Sequence, residues 1–172
     1  MILAPVLARV VTSTPRGQAM LFVLAIAACS RPDTTAPEPP SRCTSPPPAS
    51  VALGDWLRAE CYGAWPSDPA VRASSMNPSG IRVFLSPSLA DSVAGGNAAH
   101  PVGAAAVREI FSPDHRERVG WSVSVKTSDG WFWYEEFDRL GHATVSGRDA
   151  PGCTSCHEAG QDLVQTRRLA GR

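Results

Sequence analysis

The sequence predicts a mainly β (α+β) domain, a small antiparallel sheet with short flanking helices and a Cys-Thr-Ser-Cys-His loop beyond it. Three observations predict this. Period-two alternation recurs over Ile81–Leu85, Ala104–Phe111 and Gly120–Lys126. Turn-forming residues, Ser112-Pro-Asp-His115 and Thr127-Ser-Asp-Gly130, follow the second and third of these runs. An aromatic-rich run, Trp131–Phe137, begins directly after the second turn, at hairpin distance.

The elements follow in chain order. Val51–Tyr62 reads as a helix presenting Val51, Trp56 and Leu57, with Leu53 nearby. Ile81-Arg-Val-Phe-Leu85 reads as a strand, and Ser86-Pro87-Ser88 then opens a short helix running through Ala90 to Val93. In the next strand, Val107, Glu109 and Phe111 share one face, while Ala106, Arg108 and Ile110 share the other. Trp121, Val123 and Val125 lie together on one face of theirs. Gly141–Gly152 reads as a loop. Glu158–Leu169 has room for a helical turn or two, with Leu163 and Val164 as its apolar contacts.

The chain has 172 residues, suited to one folded domain behind a leader and a tether. Residues 1–28 read as an export signal. Arg9 and Arg16 precede an apolar run, Ala19–Ala28, too short to span a bilayer, which takes about 20 residues. Its exit, Ile26-Ala-Ala-Cys29-Ser30, resembles a bacterial lipobox, in which Cys29 takes the lipid and becomes the first mature residue. An ordinary signal peptide that happens to contain a cysteine is the alternative. Ser30 is not the aspartate that retains lipoproteins at the inner membrane, so a periplasm-facing outer-membrane anchor is favoured. Residues 29–49 form a tether with seven prolines between Pro32 and Pro48, extended and without a core. The folded domain occupies residues 50–172.

Charge excludes one class of partner. Sixteen basic and sixteen acidic residues balance, and loss of Arg9 and Arg16 leaves 14 − 16 = −2. No basic face is implied, so nucleic acid is not expected as a partner. Lys126 is the only lysine.

Five cysteines divide without remainder. Cys29 goes to lipid, Cys43 and Cys61 are left to form a disulfide in an oxidising compartment, and Cys153 and Cys156 belong to one motif. That motif, Cys153-Thr-Ser-Cys156-His157, has the spacing for covalent haem c: two thiols add to the vinyl groups, and the next histidine ligates the iron. A bare CxxC also serves as a redox dithiol or half a zinc site. The adjacent His157, the lack of a second CxxC and the lack of a strand-helix thioredoxin pattern all favour haem. His157 is then the one metal ligand. One face of the sheet would wall the haem, with Trp121 as a candidate lining residue, although Trp121, Trp131, Phe132 and Trp133 serve equally as plain core.

Several ordered segments carry a wider resemblance: Ile81-Arg-Val-Phe-Leu-Ser-Pro87, His100-Pro-Val-Gly103 followed by Ala106-Val-Arg-Glu-Ile110, Val123–Lys126, Trp131–Phe137, and Pro151–Gly160 followed by Asp162–Thr166. In these, residues 50–168 resemble the cytochrome P-460 family, which also holds the cytochromes c′-beta. The resemblance implies an antiparallel sheet with a haem c near its end, an iron open on its distal side, and homodimers. In the hydroxylamine-oxidising members a lysine is cross-linked to the porphyrin. Arg108 stands at that position here, always protonated and not nucleophilic. Lys126 is a possible substitute on a different strand. The distal carboxylate of those enzymes aligns near Ser122, and Glu109 points away from Arg108, so both oxidase features are expected to be absent.

The candidate set is therefore Cys153, Cys156 and His157, with Arg108 and Trp121 as further haem-binding residues. An open distal position is expected, with His100, His115, His142 and Met76 as the other available ligands. The expected function is electron transfer to a redox partner protein, or binding of a small ligand such as nitric oxide. The alternative is a haem enzyme that oxidises hydroxylamine or converts other nitrogen oxides or peroxide.

Overall fold

The computed structural model describes residues 43–74, 79–138 and 140–165. The expected export signal, Cys29, the part of the expected tether before Cys43, and Met76 lie outside the described residues. Among the described residues no helix is long and apolar enough to cross a membrane.

Helix α1, Ser50–Arg58, buries Leu53, Gly54, Trp56 and Leu57, an i, i+3, i+4 stripe that faces the sheet. Cys43 and Cys61 are joined by a disulfide, with Cα atoms 4.9 Å apart. The indole of Trp56 donates to the Thr44 carbonyl at 3.0 Å, which holds the lead-in segment against the helix. Strands β1 (Arg72–Ala73) and β2 (Gly80–Leu85) follow. Helix α2, Pro87–Ala94, starts where expected, with Pro87 in its first turn and Ser86 capping Leu89 N–H. Strands β3 (Ala105–Phe111), β4 (Arg118–Thr127), β5 (Gly130–Glu136) and β6 (Ala143–Arg148) complete a six-stranded antiparallel sheet in simple sequence order. Helix α3 spans Pro151–His157.

Three expectations are corrected here. Gly141–Gly152 is not all loop, because β6 pairs with β5 along the sheet edge. The Cys-Thr-Ser-Cys-His motif is helical and not in a loop, and residues 158–165 behind it form turns where a helical turn or two was expected.

Alternation divides the sheet into two faces. Phe84, Val107, Val123 and Tyr134 are aligned by register, as are Ala105, Val125 and Phe132; with Trp121 they pack against Leu53, Trp56, Leu57 and Tyr62 on the α1 side. The opposite face carries Val83 and Leu85, which pack with Leu89 of α2 and with Val164. Complete burial of a large apolar side chain contributes roughly 1.5–3 kcal/mol, so the eleven buried members of the α1-side cluster dominate the fold. Gly120 permits the closest strand approach: a Cβ there would stand 2.0 Å from the Glu136 carbonyl oxygen.

Candidate functional site

Helix α3 begins on Pro151, whose fixed φ and missing N–H suit a first helical position, and the Cys153 and Thr154 amides bond back to the Ala150 carbonyl. Positions 153, 156 and 157 are spaced i, i+3 and i, i+4, so both thiols and the imidazole project from one side. Helix α3 buries none of its residues. Cys153 is half-buried, Cys156 is exposed, and both are free thiols.

The His157 ring is held in one orientation and one tautomer. Its Nδ1 lies 2.7 Å from the Leu163 carbonyl oxygen. A carbonyl only accepts, so Nδ1 carries a proton, and in the neutral ring Nε2 keeps its lone pair. The ring meets Trp133 edge-on, with centroids 4.7 Å apart and planes at 65°. A neutral imidazole with Nδ1–H on a backbone oxygen has Nε2 left to bind a metal.

Alternation and register define the sheet face beside it. Arg108, Ser122 and Glu135 form one cross-strand row, Ala106, Ser124 and Trp133 the next, and Lys126 pairs with Trp131 beyond. Ser122 Oγ donates to Glu135 Oε1 at 3.0 Å, and Arg108 Nη2 stands 3.8 Å from the same oxygen. Burial, then the charge of Glu135, push the Cys153 thiol above its ordinary value, against the opposing pull of Arg108. Cys153 therefore shares the electrostatic neighbourhood of Arg108 and Glu135, and stays a neutral thiol at neutral pH.

The turn after α3 is unusual. Asp162 (φ 45°) and Leu163 (φ 63°) both adopt the left-handed conformation, which costs roughly 1–2 kcal/mol per non-glycine residue. Asp162 accepts from Lys126 Nζ at 2.8 Å, from the His100 backbone N–H at 2.8 Å and from the Trp131 indole at 3.3 Å. Burial pushes its carboxyl up, but these donors outweigh that and hold it below the usual range.

Of the sequence-predicted residues, the structure brings Cys153, Cys156, His157 and Arg108 to one side of the sheet. Trp121 is not with them. It lies in the α1-side core and donates to Tyr62 Oη at 2.9 Å, and Trp133 is the indole that meets His157. Beside Arg108 the structure places Glu135, opposite Ser122, a carboxylate that the sequence reading did not consider. Glu109 does point away, to Tyr62 and Arg118. Lys126 is held by Asp162. His100 is buried, with Nδ1 on Ser92 Oγ at 2.8 Å and its ring near Trp131. His115 packs by Gly80, and the exposed His142 pairs with Asp138.

Haem would need anchoring thiols, a ligand nitrogen and donors for its carboxylates. Four buried side-chain nitrogens lack a protein partner among the described residues, and two of them, Arg108 Nε and Trp133 Nε1, belong to the face beside α3. Buried donors of this kind are costly unless something accepts from them. The donor set thus fits a group with anionic oxygens. A separate polar cavity of about 590 Å³, by Arg82, Glu109 and Arg118 at the opposite face, holds no thiol or imidazole. No protein-family model matches the chain, and no curated protein matches it.

Proposed function

We propose that this chain is an exported haem c protein of the cytochrome P-460 type without the lysine cross-link, tethered to a membrane through lipidated Cys29, which binds a small ligand such as nitric oxide or passes single electrons to a redox partner. The observation that carries the reading is the His157 tautomer: Nδ1–H on the Leu163 carbonyl leaves Nε2 as a ligand, one residue beyond a free pair of thiols. Cys153 and Cys156 would hold the haem, His157 its iron, and Arg108 and Trp133 its anionic edge. Bound haem supplies one-electron chemistry and a site for diatomic ligands.

The chain's own residues define what happens around that group. Trp133 packs on the imidazole and limits its rotation. The Arg108 guanidinium, beside Glu135 and Ser122, offers fixed donors to an anion or a bound polar ligand. The cross-link is set aside on two grounds: Arg108 is not nucleophilic, and Lys126 is engaged by Asp162. Glu135 favours a second reading, conversion of a nitrogen oxide or peroxide, because a carboxylate on this face is placed to accept a proton.

The test is an optical spectrum of the protein made in a host with haem c attachment machinery, oxidised and reduced, before and after nitric oxide. The expected result is a normal c-type spectrum with a high-spin iron that responds to ligand, lost in the Cys153→Ser/Cys156→Ser variant. A strongly red-shifted ferrous Soret band would show a cross-link, and a protein that takes up no haem would end the proposal.

A further inference from the structure

We infer that Asp162 is the positioning residue for His157: by clamping the turn at residues 161–164 it fixes the carbonyl that sets the imidazole's orientation and tautomer. The functional meaning rests on the haem reading above; the geometry does not.

Residues 161–164 close on themselves, with Gln161 N–H on the Val164 carbonyl at 3.1 Å and Val164 N–H on the Gln161 carbonyl at 2.9 Å. A left-handed leucine at 163 is not self-sustaining, because its Cβ crowds the backbone and nothing in the side chain compensates. Something outside the turn must hold it. The Asp162 carboxylate does so by accepting from three separate elements: Lys126 on β4, Trp131 on β5 and the His100 amide before β3. Gln161 adds a fourth hold, its amide donating to the carbonyls of Gly96 and Asn97 behind α2. The next carbonyl after Asp162, that of Leu163, is the partner of His157 Nδ1. The chain's only lysine is thus engaged in a clamp one residue removed from the ligand histidine's own hydrogen bond.

The chemical consequence concerns Nε2. A held Nδ1–H···O=C bond makes the imidazole a stronger donor to a metal and favours the ferric over the ferrous state. With the clamp released, the Leu163 carbonyl drifts, and the neutral ring is free to return to the Nε2–H tautomer that an unconstrained histidine side chain prefers. Asp162→Asn keeps the shape but replaces one acceptor oxygen with a donor, facing three donors.

The test uses the purified full-length protein, wild type against Asp162→Ala, Asp162→Asn and Lys126→Met, each checked for unchanged far-ultraviolet dichroism. The readout is solvent exchange of the His157 Nδ1 proton, followed by ¹⁵N NMR; where haem is bound, the ferrous carbon-monoxide form keeps the sample diamagnetic. The expected result is a protected proton in wild type, exchange at least tenfold faster in Asp162→Ala, and intermediate rates in the other two. In haem-loaded protein, the ferrous iron–histidine stretching band falls in frequency and the reduction potential rises in the same order. A folded Asp162→Ala with the wild-type exchange rate overturns the inference, whatever the haem content. If that variant does not fold, Asp162→Asn decides, and an unchanged rate there overturns it. An ordered exchange series in a protein that binds no haem would remove the haem reading and leave the role of Asp162 standing.

Discussion

Tyr62 shows how single side chains carry the polar interior. Its hydroxyl donates to Glu109 Oε1 at 2.8 Å and accepts from Trp121 Nε1 at 2.9 Å and Arg118 Nη1 at 3.2 Å. Burial, the largest cause, raises its pKa far above the usual tyrosine range, so the hydroxyl stays protonated and can donate. Tyr62→Phe strands the Trp121 N–H and removes one donor from Glu109. The expected loss is about 1–3 kcal/mol, read from urea unfolding. Asp162 gives the pH counterpart. Its folded pKa lies below the ordinary 3.8, so the stability it contributes is present above that value and fades as pH falls through the depressed one. Acid titration of unfolding free energy should therefore drop more steeply in wild type than in Asp162→Asn below about pH 4. Equal slopes would mean that the carboxylate adds nothing. At this scale the Cys43–Cys61 pairing, the thiols and His157 were legible by elimination and spacing. Glu135 was legible only through register: the turn between Thr127 and Gly130 fixes which residues oppose each other, and it sets Glu135 across from Ser122. Trp121 misled because alternation gives the faces of a strand without saying which one meets α3.

Among the elements, the β4–β5 hairpin depends most on one position. Gly120→Ala places a methyl 2.0 Å from the Glu136 carbonyl oxygen, against backbone that cannot swing away. The expected destabilisation is about 1–3 kcal/mol, with amide protection lost first along β4 and β5, measured by hydrogen exchange. Helix α1 and its lead-in depend instead on the disulfide, which closes a separation of 18 residues. Reduction should lower stability by about 3 kcal/mol, visible as a lower melting temperature in reductant. The strongly alternating strands β2 to β5 and the capped α2 could be read directly from sequence. Strand β6 could not: Ala143-Thr-Val-Ser-Gly-Arg148 has little β propensity, and pairing with β5 makes the strand. Helix α3 was hidden because Pro151-Gly152 resembles a breaker, whereas proline at a first turn starts a helix.

At the scale of the whole molecule, the two sides of the sheet have separate tasks. The α1 side closes over the main apolar cluster, with no contribution from α3. The other side leaves Arg108, Ser122 and Glu135 on a face covered only in part by α2 and the segment at Val164. Stability and the candidate chemistry are therefore largely separable. Cys153→Ser/Cys156→Ser should lose the haem that the proposed function requires, yet keep the near-ultraviolet dichroism of the packed tryptophans and unfold cooperatively. A molten, weakly cooperative variant would show instead that the fold depends on the two cysteines.

The strand order supplies a clock as well as a shape. Each strand pairs with its immediate neighbour in the chain, so the sheet zips by successive short-range closures, without waiting for a distant segment. The Cys-Thr-Ser-Cys-His helix follows β6, so the platform bearing Arg108, Trp133 and Glu135 can be complete before the reactive thiols arrive on it. On the haem reading proposed above, covalent attachment would come last, onto a sheet face whose strands are already paired.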